Sequence, residues 1–158
     1  MHTIRPATSG DLAALGRLGA SLMRAHYEFD ADRFMRPQRG VEQGYGSFLG
    51  SQLNDPDSIV LVAEHDGEVV GYVYAAVEPP SWKELRDRAG YIHDVLVAEG
   101  HRRSGIAEAL MNAAIAWLRT RDVPRVVLGT ASQNETAQRL FRRLGFRPTM
   151  IEMTKELG

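Results

Sequence analysis

No cysteine occurs anywhere in the chain, which removes disulfide frameworks, thiol nucleophiles and thiolate metal sites and is compatible with a reducing compartment. Charge of one sign is equally absent. Lys and Arg number 19 against 20 Asp and Glu, a formal net charge of -1, so no global positive field draws in nucleic acid or an acidic membrane, and any charge-driven binding must be local. Long apolar runs are missing too: none exceeds Tyr72 to Val77 in length, far below the roughly 20 residues that span a bilayer. The opening Met1–Pro6 lacks the apolar stretch of a signal peptide, which points to a cytoplasmic protein without a membrane partner. Neither Gly-x-Gly-x-x-Gly nor Gly-Lys-Ser/Thr is present, so dinucleotide folds and P-loops are set aside. His26, His65 and His101 lack metal-site spacing, and no metal is expected. No repeat or low-complexity tract interrupts the chain.

What is present fits one domain over residues 1–158, 44% hydrophobic and long enough to bury a sizeable core. Residues 2–5 read as a short strand closed by Pro6. Thr8 and Asp11 resemble a capping box before Leu12, Leu15, Leu18, Leu22 and Met23 at helical spacing, which predicts a helix over 9–28. A second helix over 41–54 follows a polar loop. Two runs rich in β-branched and aromatic residues, 59–63 and 69–74, flank Asp66-Gly67 and predict a tight hairpin. A third strand is expected over 91–97, then a helix over 104–121, a strand over 125–130, a helix over 135–144 and a final strand over 146–154. The strand–helix–strand order from Tyr91 to Leu128 implies a right-handed parallel crossover beside the antiparallel hairpin, hence a mixed α/β sheet.

The most informative stretch is Arg102-Arg103-Ser104-Gly105-Ile106-Ala107, where a strand gives way to a long amphipathic helix. A helix start leaves N–H groups unpaired and carries a partial positive charge, so it stabilises a bound anion by about 0.3–2 kcal/mol. Arg102 and Arg103 add charge-assisted hydrogen bonds. Gly105 lets a ligand approach the backbone closely, and Ala107 keeps the first turn uncrowded. This reads as a cradle for a pyrophosphate. As a bare basic turn, His101-Arg102-Arg103 would suggest a solvated loop or a small nucleic-acid patch; the glycine spacing and the balanced charge favour the cradle.

The same six residues match the cofactor motif of the GCN5-related N-acetyltransferases: Gln or Arg, two residues, Gly, one residue, then Gly or Ala. Asn134 followed by a helix ending in Leu144-Gly145-Phe146 matches that family's second C-terminal motif. With the element order over nearly the whole chain, the sequence resembles this family. The resemblance implies a central mixed sheet of six or seven strands flanked by about four helices, and acetyl transfer from acetyl-CoA to a primary amine in a ternary complex. It implies that the pyrophosphate sits on the amides of Arg103 to Ala107, that the pantetheine arm pairs with the strand edge at Leu96 and Val97, and that Asn134 contacts it. On its own chemistry, Asn134 is also an excellent helix N-cap.

An ammonium has no lone pair, so transfer needs a base. His93 falls where several members of the family carry a catalytic Glu, and imidazole ordinarily titrates near neutrality. It is the first candidate base, with Asp94 beside it on the opposite sheet face unless a bulge intervenes. A water chain would need neither. Phe141 departs from the family, many of whose members carry there a Tyr thought to protonate the sulfur; a phenyl ring has no proton to give. Tyr91, Tyr74 and Ser132 are alternatives, although strand tyrosines are more often core or rim residues. Phe141 therefore motivates a second hypothesis, a catalytically weak acyl-CoA-binding or regulatory domain. The acceptor, a small molecule or a peptide, is expected to meet residues 26–40 and 78–88, and oligomeric state is open, a homodimer included.

Overall fold

The computed structural model describes residues 1–158. Thr3–Pro6 forms β1, a 3-10 turn at Ser9–Asp11 leads into α1 (Leu12–Phe29), and α2 spans Val41–Gln52. Then come β2 (Ser58–His65), β3 (Glu68–Glu78), β4 (Ala89–Val97), α3 (Ile106–Arg119), β5 (Val126–Leu128) and α4 (Glu135–Arg143). The five strands form one sheet in chain order, antiparallel except for the parallel β4–β5 pair. The mixed α/β sheet and the crossover are as the sequence implies, but the sheet has five strands where six or seven were expected. The final strand over 146–154 is absent: those residues carry no regular structure, and all after Phe146 are exposed. An alternating sequence becomes a strand only when another strand meets its backbone groups, and none does here.

Local chemistry explains the rest. At the β2–β3 turn Asp66 and Gly67 have φ of 51° and 80°, the left-handed pair that a two-residue hairpin needs to match strand twist. Arg5 donates from both terminal nitrogens to the Asp11 carboxylate at 2.8 and 3.0 Å, and the Thr8 amide donates to it as well. The Arg5 hydrogen bond holds the Asp11 carboxyl below the usual range and ties β1 to the start of α1.

Helices cover both faces. Leu110, Met111 and Leu118 of α3 pack with Leu61, Val73 and Ile92 on one face. Leu15, Leu18 and Leu49 of α1 and α2 pack with Val60, Val62 and Tyr72 on the other. No helix is long and apolar enough to cross a membrane.

The α1–α2 crossing is close because both surfaces are stripped to glycine. A Cβ at Gly16 would lie 2.2 Å from the Glu42 carbonyl oxygen, and one at Gly46 2.8 Å from that of Leu12. Neither contact can be relieved by turning a side chain, so the helices would have to separate. Gly16→Ala is expected to cost about 1–3 kcal/mol despite the better helix propensity of alanine. Urea unfolding checks this; a neutral or stabilising result would contradict the crossing.

Candidate functional site

β4 and β5 pair only over Gly90–Val126, Tyr91–Val127 and Ile92–Leu128. Beyond Ile92 the parallel strands part, and a cleft of about 280 Å³ opens between them. Open α/β sheets bind ligands at such a crevice outside the carboxyl ends of parallel strands. One wall is Leu128, Gly129 and Asn134 with Phe141; the other is α1 with Phe34 and Met35 of the following loop.

His93 and Asp94 lie at the cleft floor, and a break in register puts both there. Tyr74 pairs with Asp94 and Ala75 with Ile92, so His93 is an extra residue with no partner on β3. Strict alternation would have sent Asp94 to the α3 face with Ile92. The bulge turns it to the α1–α2 face instead, where Tyr91 and His93 also point. The bulge is the exception under which the two residues were expected to share a face.

Asp94 Oδ2 accepts from the Tyr72 hydroxyl at 2.9 Å and from the Tyr45 hydroxyl. Every fully buried side-chain polar atom has a partner, so Oδ1, which has none, reaches the cleft. Burial pushes the Asp94 carboxyl up, opposed by the hydrogen bonds of Tyr45 and Tyr72. Burial and the neighbouring carboxylate push both phenols above their ordinary value, so they remain donors. Stability linked to Asp94 is therefore present below the ordinary carboxylate range and is lost as pH rises through the raised folded value. His93 is held differently: Nε2 meets Glu78 Oε1 at 2.7 Å, and its ring stacks between Tyr91 and Tyr74 at 4.5 and 4.9 Å. With Nε2 donating to a carboxylate, Nδ1 is the nitrogen with the free lone pair.

At the far end of β4, Arg103 and Gly105 have φ of 63° and 82°. Backbone of this kind turns successive N–H groups into one concavity. None of the amides of Arg103, Ser104, Gly105, Ile106 and Ala107 donates a hydrogen bond of ordinary geometry. No atom lies within 4 Å of where a Cβ on Gly105 would be. Arg102 Nε donates to the Val97 carbonyl at 3.0 Å, folding this turn against the end of β4 beside Leu96 and Val97 and leaving its terminal nitrogens free. Arg103 has no partner. α3 begins at Ile106, two residues after the expected start.

Asn134 caps α4, accepting from the Ala137 amide at 3.2 Å, and also lines the cleft. Phe141 is 7% exposed, packed on the core and edge-on to Phe146. Of the substitutes considered for a proton donor, Tyr74 donates to Gln52 and Ser132 to Gln133, while Tyr91 faces Gly129 with its hydroxyl unpartnered. Sequence reasoning missed Tyr45, Tyr72 and Glu78. The available signal was that a buried tyrosine needs a hydrogen-bond partner, but nothing in the spacing names that partner.

A model of the acetyltransferase (GNAT) family matches residues 21–146. The N-alpha-acetyltransferase of Sulfurisphaera tokodaii is 31% identical over 112 residues, 66% of this chain and 65% of that protein. The alignments take in less than two thirds of the length of that protein and of human N-acetyltransferase 8, of which 43% is covered. Among solved structures, a GCN5-related N-acetyltransferase from Ralstonia eutropha superimposes with a TM-score of 0.74 at 28% identity over 99% of each chain. The aminoglycoside N-acetyltransferase AAC(6')-Iy in complex with CoA shares the fold, with a TM-score of 0.77 at 18% identity over 99% of this chain and 94% of that one.

The Asp94 carboxyl is expected to titrate above the ordinary aspartate value of about 3.9 when followed by carbon-detected NMR. Tyr72→Phe removes a hydrogen bond to the charged form and should move the midpoint further up; an unchanged midpoint would mean that this hydroxyl does not hold the carboxylate.

Proposed function

Because the chain belongs to the acetyltransferase (GNAT) family, we propose that it transfers an acetyl group from acetyl-CoA to a primary amine by direct attack in a ternary complex. The observation that carries this reading is the set of unpaired amides from Arg103 to Ala107, folded against the end of the strand whose other part floors the cleft. They fit a diphosphate: several donors, the positive end of α3, and a glycine whose missing Cβ leaves the approach clear. Arg103 and the free nitrogens of Arg102 add charge. The β4 edge at Leu96 and Val97 suits the amide-bearing arm, and Asn134 borders its path while capping α4. When bound, acetyl-CoA supplies an activated acyl carbon and a thiolate leaving group.

The chain's own residues then divide the work. Asp94 Oδ1 receives the acceptor as an ammonium ion, and the Tyr45 and Tyr72 hydroxyls keep that carboxylate oriented. His93, oriented by Glu78, takes the proton on Nδ1 and frees the lone pair for attack. Phe141 offers no proton to the sulfur, and a leaving group near the ~8.5 of free cysteine would tolerate that lack. Asp94 is the single carboxylate lining the cleft, whose remaining walls include Leu22, Met23, Phe34 and Met35. That lining suits a singly charged amine with an apolar body on a small molecule or peptide. The second reading, CoA binding without efficient transfer, is favoured by Phe141 alone.

Thiol release from acetyl-CoA across an amine panel separates the two. Transfer predicts turnover with apolar monoamines above polyamines; tight CoA binding with no turnover on any amine would leave the second reading. His93→Gln is expected to lower kcat by about 10²–10⁴-fold. Asp94→Asn should act mainly on the KM of the amine; the reverse split would exchange the two roles. Gly105→Val should weaken CoA binding about tenfold, about 1.4 kcal/mol, in calorimetry on folded protein, and unchanged affinity would contradict the cradle.

A further inference from the structure

Two imidazoles line the cleft, and proton transfer to His93 leaves the other, His26, without a task. His26 sits half-buried in the last turn of α1 and is the one polar side chain that this helix adds to the cleft, beside Gly19, Leu22 and Met23. Its ring is held by its neighbours. Nδ1 lies 2.9 Å from the Leu22 carbonyl oxygen one turn back, and Phe29 and Phe34 meet the ring at steep angles with centroids 5.7 and 5.0 Å away.

The backbone partner decides the tautomer. A carbonyl oxygen only accepts, so Nδ1 carries the hydrogen and the neutral ring keeps its lone pair on Nε2. Every fully buried side-chain polar atom has a partner, so Nε2, which has none, is not sealed off, and the space this ring borders is the cleft. His26 is also near enough to Asp94 for a positive charge on its ring to favour the Asp94 carboxylate. A hydrogen-bond acceptor on the α1 wall thus joins the two on the β4 floor, Asp94 Oδ1 and His93 Nδ1. A primary ammonium has three N–H donors. In a cleft otherwise lined by Leu22, Met23, Phe34 and Met35 on this side, a third donor without an acceptor would be left unpaired at a cost.

We propose that His26 Nε2 accepts one N–H of the bound amine, completing with Asp94 Oδ1 and His93 Nδ1 a three-acceptor seat that selects primary amines over N-alkylated ones. This rests on the cleft being the acceptor site for acetyl transfer and assigns a specificity-determining residue within it. An N-methyl amine has one donor fewer, so one acceptor goes bare and a methyl group is set against a polar atom. His26 neither takes nor gives a proton. Once His93 has removed one, the two remaining N–H groups stay on Asp94 and His26, which fixes the direction of the lone pair.

Thiol release with 2-phenylethylamine and with N-methyl-2-phenylethylamine tests this in the wild type, His26→Phe and His26→Gln. Phenylalanine keeps a ring against Phe29 and Phe34 and removes the acceptor, whereas glutamine supplies an amide oxygen in its place. The wild type should favour the primary amine by about 100-fold or more in kcat/KM. His26→Phe should cut that preference by about tenfold or more, chiefly through the KM of the primary amine, and His26→Gln should restore much of it. A preference unchanged in His26→Phe overturns the proposal while leaving acetyl transfer intact. Nitrogen NMR of the His26 ring, in protein saturated with CoA, which has no acetyl group to give, reads the contact without turnover. The ring should be protonated on Nδ1, and its Nε2 resonance should move when 2-phenylethylamine is added. A ring protonated on Nε2 at neutral charge, or an Nε2 resonance that the amine leaves in place, overturns the proposal. A moving Nε2 resonance in a protein that releases no thiol would support the seat and count against acetyl transfer.

Discussion

β4 and β5 share three residue pairs and then part, and most of what distinguishes this molecule depends on that short pairing. A parallel pair is held by hydrogen bonds along its length, so where pairing stops the backbone groups of both strands become available to something else. On the inner side the parting opens a cleft at the carboxyl ends of the strands, beside the start of α3. On the outer side it leaves β5 as a brief, unguarded edge. The same three pairs thus set both the cleft and the exposed edge of the sheet.

The bulge at His93 is the second constraint. A sheet of strict alternation assigns neighbouring residues to opposite faces, so two adjacent polar side chains cannot serve one cleft. The extra residue relaxes that rule at one point and brings an imidazole and a carboxylate to the same floor. The arrangement has an energetic cost, since burying a carboxylate disfavours its charge. Two phenols offset it, and their own burial keeps them protonated and therefore donors. Gly19 belongs to this support: a Cβ there would lie 2.1 Å from the Tyr45 ring, so the bare backbone of α1 gives Tyr45 room to reach Asp94.

Much of the fold was legible wherever local chemistry decides conformation. Asp66-Gly67 specified its turn because few residue pairs adopt left-handed backbone twice in succession. The leucine spacing of α1 and the apolar stripe of α3 specified helices and the faces they bury. Gly105 marked the left-handed turn that opens α3 with its amides unpaired, since the requirement for a residue without Cβ is written in one letter. The strand expected over 146–154 shows the opposite case. Its alternation was read correctly as pattern, but a strand is a relation between two segments, and only one of them lies in that stretch of sequence.

By itself, then, the sequence determined the order of the elements, the hairpin, the buried faces of the helices and the glycine turn at the start of α3. Each of these follows from interactions among residues close in the chain or from the period of their hydrophobicity. The tertiary structure alone decided that β4 carries a bulge, that Asp94 joins His93 on one face, that Tyr45, Tyr72 and Glu78 support them, and that the last segment stands unpaired. These depend on register and on packing between residues far apart in sequence, which no local pattern encodes.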